Sequence, residues 1–217
     1  MREKVIEAIE SEKMIVIVRG LSDDKIIPFA EAVYEGGIRL MEITYNASNP
    51  TEDIVTANNI KRLVEHFGDK MMIGTGTVLT EKQVELTKEA GGKFIISPDS
   101  DPDIIKKTRE LGLVSIPGAL TPTEIKQAHK AGADFIKLFP VNTMGADYVK
   151  AVKAPLSQVK LLAVGGVKPE NFGAYMKAGI CGFGIGSFIV DKNLIEAGKF
   201  TEITKRAREY REAAQNI

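Results

Sequence analysis

The sequence predicts an α/β fold: a single (β/α)8 TIM barrel preceded by one extra N-terminal helix. Eight short apolar runs recur along the chain, and the gaps between them carry helix punctuation. The runs are Met14–Val18, Leu40–Ile43, Met71–Gly74, Phe94–Ser97, Val114–Ile116, Phe135–Leu138, Leu161–Val164 and Gly182–Ile185. Their starts lie about 20 to 31 residues apart, room for one helix and two short loops, which is the βα unit. Each run is near-continuously apolar, as expected of parallel strands covered by helices.

The connecting segments follow in order. Glu3–Ser11 reads as a helix ahead of the first strand, and its charged start is not that of a signal peptide. Ser22-Asp23-Asp24 opens the next helix and Glu35-Gly36-Gly37 closes it. Thr80-Glu81 opens the helix after the third strand, and Ala90-Gly91-Gly92 ends it. Thr121-Pro122-Thr123-Glu124 is a capping box with proline at the first helical position, and Ala131-Gly132 ends that helix. Lys168-Pro169-Glu170 to Ala178-Gly179 repeats this grammar, glycine past the helix end being the usual left-handed stop. A last helix, Phe200–Gln215, follows the eighth strand.

No Ser/Gly/Pro linker or low-complexity stretch divides the chain, so residues 1–217 are expected to form one barrel domain. The rival fold is an open doubly wound sheet. Its dinucleotide turn needs three spaced glycines, and Gly74-Thr75-Gly76-Thr77 supplies two, with no helix cap correctly placed after it.

Composition narrows the function classes. The 29 basic and 29 acidic residues cancel, which argues against a general grip on nucleic acid or an anionic membrane. One cysteine cannot form an internal disulfide, so a reducing, cytoplasmic setting is expected. No apolar run approaches the length of a membrane span.

Chemistry in a barrel sits at the carboxyl ends of strands, so polar residues inside the apolar runs are the informative ones. Arg19 ends the first run, Glu42 interrupts the second and Lys137 interrupts the sixth. If Met41 and Ile43 face the helices, Glu42 and Thr44 face the interior. By the same alternation Ile136 and Leu138 point outward and Lys137 inward. An unpaired carboxylate there is expensive, so Glu42 must meet a cation, water or substrate. One reading is a structural ion pair between Glu42 and Lys137. The other is chemical: a partly desolvated lysine becomes a nucleophilic amine able to form a Schiff base with a ketone, and a nearby carboxylate shuttles protons.

Val164-Gly165-Gly166-Val167 and Gly184-Ile185-Gly186-Ser187 follow the seventh and eighth runs. Many barrels hold a phosphate there on backbone N–H groups, and Ser187 adds a hydroxyl. Glycine also simply permits tight turns, but two such turns on adjacent strands favour phosphate.

Taken in order, Glu42-Ile43-Thr44, Gly74-Thr75-Gly76-Thr77-Val78, Ile96-Ser97-Pro98, Ile116-Pro117-Gly118, Lys137-Leu138-Phe139-Pro140, Gly165-Gly166 and Gly186-Ser187 resemble the KDPG/KHG aldolase family of bacterial sugar-acid catabolism. The resemblance runs from the first strand to the last. It implies a homotrimeric, metal-independent Schiff-base aldolase that needs no cofactor. Such an enzyme cleaves a 2-keto-3-deoxy-6-phospho sugar acid to pyruvate and glyceraldehyde 3-phosphate. It also implies roles: Lys137 forms the imine, Glu42 is the general acid/base, and Thr77 and Pro98 line the pyruvate pocket. Phe139 is the aromatic beside the lysine, and Gly165, Gly166 and Ser187, with Gly186, fall on the phosphate site.

Two positions depart from the gluconate-type pattern. Asn46, expected among the substrate-binding residues, stands where an arginine often grips the substrate carboxylate, and Ala163-Val164 replaces a common Pro-Thr. Both look more like the galactonate-phosphate branch, while gluconate-type and 4-hydroxy-2-oxoglutarate substrates stay open. Arg19 becomes the candidate partner for the carboxylate, its alternative being a salt bridge to Glu42. His66 and His129 lie late in helices and away from strand ends, so no metal site is expected; Cys181, Lys106-Lys107 and Met71-Met72 read as packing or solvated surface. Another phosphosugar conversion, such as isomerisation, and a non-catalytic phosphosugar-binding barrel are the competing readings.

Overall fold

The computed structural model describes residues 2–216. Its strands are β1 (Met14–Val18), β2 (Leu40–Thr44), β3 (Met72–Gly76), β4 (Phe94–Ile96), β5 (Val114–Ile116), β6 (Gly118–Ala119), β7 (Ile136–Leu138), β8 (Leu161–Val164) and β9 (Ile180–Ile185). The helices are α1 (Arg2–Glu12), α2 (Ile26–Glu35), α3 (Asp53–Phe67), α4 (Glu81–Glu89), α5 (Pro102–Glu110), α6 (Pro122–Ala131), α7 (Gly145–Lys153), α8 (Pro169–Ala178), α9 (Lys192–Glu196) and α10 (Phe200–Gln215).

All strands pair in parallel, in the order β5-β4-β3-β2-β1-β9-β8-β7-β6. The two edge strands are consecutive in the chain and separated only by Pro117, so the sheet curls into a nearly closed barrel. The expected fifth strand is therefore split, for a local reason. Pro117 has no N–H to give to a ladder, while its carbonyl accepts the Lys137 N–H at 2.8 Å. Residues before the proline pair with β4 and residues after it with β7.

Side chains alternate across the barrel wall as the strand pattern requires. Met41, Ile43, Ile136 and Leu138 pack outward in the large cluster shared with the helices. Ile15, Leu40, Phe94, Val114, Phe135 and Leu162 meet inside, where Val5 and Ile9 of α1 join them. The amino end of the barrel is thus filled with apolar side chains and covered by α1. Asp134 fastens that cover: its buried carboxylate accepts from Arg2, from Arg109 at 2.7 Å and from the Ser115 N–H at 2.9 Å.

Several boundaries move relative to the sequence reading. β3 begins at Met72 and runs to Gly76, and β9 begins at Ile180. The Ser22–Asp24 cap does not form: α2 begins at Ile26 with no side-chain cap. Asp23 is drawn away instead, accepting from Asn59 Nδ2 at 2.7 Å. The Thr121 capping box and the left-handed Gly132 and Gly179 stops are present as read. The short α9 has no counterpart in the sequence reading. Among the described residues no helix is long and apolar enough to cross a membrane.

Replacing Asp134 by alanine leaves two guanidinium groups and the Ser115 N–H without their shared acceptor. Urea unfolding of that variant should show a loss of about 3 kcal/mol, the range for breaking a buried ion pair. A loss under about 0.5 kcal/mol, the size of a surface substitution, would show that the clasp does not hold α1 down.

Candidate active site

β2 and β7 present Glu42 and Lys137 to the barrel interior one layer above the apolar plug. Ile17, Glu42 and Gly74 are register partners on neighbouring strands, and Lys137 stands beside Gly118 and Leu162. Ile17, Ile96, Ile116, Leu162 and Val164 line a small apolar cavity together with Lys137. Glu42 is only 1% exposed, and its Oε2 is buried with no hydrogen-bond partner. No direct ion pair joins it to Lys137 or Arg19; the two cations act on it through space.

Burial dominates the electrostatics of both groups. It raises Glu42 to about 7 against the opposing pull of Lys137 and Arg19. It also lowers Lys137 below the usual lysine range; Glu42 opposes this and Arg19 reinforces it. The outcome near neutral pH is a carboxyl poised to gain or lose a proton beside an amine made easier to deprotonate. Such a pair has the chemistry that a proton shuttle beside a nucleophile requires.

All of the residues singled out from sequence except Asn46 line one cleft of about 650 Å³ at the carboxyl ends of the strands. Arg19 does not salt-bridge Glu42; its Nη2 donates to Thr77 Oγ1 at 3.2 Å. Thr77 has φ of +56°, a left-handed conformation that is uncommon for a β-branched residue and costs on the order of 1–3 kcal/mol. Phe139 is 42% exposed at the mouth, with its ring centroid 4.7 Å from Lys137 Nζ, and the Phe139–Pro140 peptide is cis. Asn46 lines an adjoining pocket of about 290 Å³ that shares Arg19, Ala47 and Thr77 with the cleft. Its amide donates to Glu52 at 2.9 Å and its carbonyl accepts the Ser48 N–H at 3.1 Å.

The opposite rim is built from two turns. Gly165 and Gly166 take φ of +100° and +64°, which a side chain would resist, so the Val164–Val167 turn depends on glycine. Among the described residues the Gly166, Ser187 and Phe188 backbone N–H groups donate to nothing. Free N–H groups on adjacent turns form a concave donor surface suited to an anion.

Sequence reasoning missed three contributors. Gly76 gives Glu42 its room: a Cβ there would lie 2.4 Å from Glu42 Oε1. The signal was available, since strand alternation places Gly76 on the same interior face as Gly74. Lys168 and Tyr210 also line the cleft. Tyr210 comes from α10, far along the chain, and no local pattern announces it. Among the described residues no three His, Cys, Asp or Glu side chains converge in a metal-binding group.

Comparison with known proteins points to one family. A family model described as KDPG and KHG aldolase matches residues 5–206. The chain is 35% identical over 208 residues to the 2-dehydro-3-deoxy-6-phosphogalactonate aldolase of Escherichia coli, covering 93% of this chain and 96% of that one. It is similar to a solved native KDPGal structure, with a TM-score of 0.83, 32% identity and 94% of each chain covered. It is also similar to a KDPG aldolase from Legionella pneumophila holding pyruvate as a covalent carbinolamine intermediate. There the TM-score is 0.83 at 27% identity, covering 96% of this chain and 97% of that one.

Glu42 ties stability to pH. Its folded pKa of about 7 stands above the ordinary 4.5, so the folded chain holds the proton more tightly than the unfolded one. That contribution is complete below the unfolded value and is lost as pH rises through about 7. The gap corresponds to about 3 kcal/mol. E42Q, which cannot ionise, should therefore gain stability relative to the unsubstituted chain by that order between pH 4 and 8 in urea titrations. Parallel pH–stability curves would contradict the raised pKa.

Proposed function

The chain belongs to the KDPG and KHG aldolase family, and on that premise we propose that it cleaves a 2-keto-3-deoxy-6-phospho sugar acid to pyruvate and D-glyceraldehyde 3-phosphate. The observation that carries this is one cleft holding a desolvated lysine, a buried carboxyl and a rim of free N–H donors.

Lys137 attacks the C2 ketone as the neutral amine. Glu42 gives a proton to the departing hydroxyl of the carbinolamine, and the protonated imine forms. The imine then accepts the electron pair of the C3–C4 bond as Glu42, through water, takes the C4 hydroxyl proton. Glyceraldehyde 3-phosphate leaves; the enamine is reprotonated at C3, and hydrolysis of the imine releases pyruvate and the free lysine. The raised Glu42 pKa suits a group that must both give and take a proton near neutrality. Arg19 and Thr77 hold the substrate carboxylate against Pro98, while Phe139 shields the imine from solvent. Gly165, Gly166, Gly186 and Ser187 bind the phosphate. Asn46, bonded to Glu52 and lining the adjoining pocket, leaves the carboxylate to Arg19.

The galactonate-type diastereomer is the preferred substrate, supported by Asn46, by Ala163-Val164 and by the likeness to the Escherichia coli phosphogalactonate enzyme. The chain works as one barrel domain, in a homotrimer, in the cytoplasm.

Borohydride treatment in the presence of pyruvate should attach one reduced pyruvate to Lys137, read by peptide mass. Lys137→Ala should abolish the adduct and lower kcat/KM by several orders of magnitude. An adduct at another lysine, or none, would sink the assignment. Parallel kinetics on the two phosphorylated diastereomers should give the higher kcat/KM for the galactonate type; a preference for the gluconate type would reverse that part of the reading.

A further inference from the structure

Two side chains of α10, one helical turn apart, reach the rim of the cleft from outside the barrel. Arg206 Nη1 donates to the Phe188 carbonyl at 2.8 Å, and its guanidinium lies 4.9 Å from the Phe188 ring centroid. The same nitrogen donates to Asp191 Oδ2 at 3.0 Å. Asp191 is itself fixed, because its Oδ1 caps α9 by accepting the Asn193 and Leu194 N–H groups. Tyr210 is buried and donates to the Val167 carbonyl at 3.3 Å. Its ring lies 5.5 Å from Phe188 and 5.8 Å from Phe172.

Val167 follows Gly166 in one turn, and Phe188 follows Ser187 in the other. Each turn therefore has a carbonyl held by α10 next to N–H groups that donate to nothing within the described residues. A phosphate has a fixed size, so donors from two separate strands bind it together only at the right separation. The Gly165-Gly166 turn has no side chains of its own to set that separation; Asn171 of α8 donates to the Gly166 carbonyl at 3.1 Å and so steadies this turn, whereas α10 bonds both turns. Arg206 does not line the cleft, and its charge is matched by Asp191. It therefore acts on Phe188 and not directly on a ligand.

We propose that Arg206 and Tyr210 are positioning residues for phosphate recognition: from one helix they set the spacing of the Gly165–Val167 and Gly186–Phe188 turns, so that both sets of N–H groups converge on a phosphate dianion. This rests on the reading of the rim as a phosphate site.

The test compares the phosphorylated sugar acid with the same sugar acid lacking its phosphate. Their kcat/KM ratio measures phosphate recognition, and pyruvate trapping on Lys137 reports separately on the lysine. R206M should lower the ratio roughly tenfold, chiefly through KM for the phosphorylated substrate, as loss of a charge-assisted hydrogen bond implies. R206K should restore part of it, because an ammonium keeps the charge and the donor but loses the planar guanidinium that lies over the Phe188 ring. Y210F keeps the ring and loses one hydrogen bond; it should lower the ratio by about threefold and decides the matter if R206M does not fold. Ratios unchanged in the folded variants, including equal losses on both substrates, would overturn the inference. An unsubstituted protein that does not distinguish the two substrates would instead overturn the phosphate reading, and this inference with it.

Discussion

Everything at the carboxyl end of this barrel depends on keeping a carboxyl and an amine in an apolar interior without letting them neutralise each other at contact. Desolvation outweighs attraction at both groups: it raises Glu42 and lowers Lys137, although each one's charge pulls the other the opposite way. A direct ion pair would have cancelled that balance. Gly76 makes room for the carboxylate, and the lysine lines a small cavity with aliphatic side chains. Arg19, held on Thr77, adds a positive field without taking the carboxylate for itself.

The rest of the fold keeps this layer open at one end and sealed at the other. Below it lies an apolar cluster that α1 joins, and Asp134 fastens α1 to the barrel through Arg2. Around it, Pro117 allows the fifth strand to change partners so that the sheet nearly closes. Without that near closure, β2 and β7, which lie well apart in the sheet order, would not bring Glu42 and Lys137 into one cleft. On the far rim α10 bonds a carbonyl of each of two turns, through Arg206 and Tyr210.

Much of this was legible in the chain because it follows from local rules. Alternation along Leu40–Thr44 and Ile136–Leu138 is enough to put Glu42 and Lys137 inside, and the Thr121 capping box and Gly132 stop follow from residue type and spacing. Local rules failed where a distant partner competed. Asp23 is a good helix cap by type, yet Asn59 takes its side chain and α2 starts uncapped. The contact of Tyr210 with the Val167 carbonyl spans more than 40 residues of chain and leaves no mark in the pattern around either residue.

By itself the sequence determined the strand–helix alternation, the family resemblance and the identity of the charged residues that interrupt the strands. These depend on side-chain type and on a periodicity of two, which need no knowledge of neighbours. Only the tertiary structure decided that Glu42 and Lys137 approach without pairing, that Arg19 bonds Thr77, and that Asn46 lines an adjoining pocket. Those outcomes depend on distance and on how much water each group loses. Both are set by the packing of strands and helices from along the whole chain, and no stretch of sequence specifies them alone.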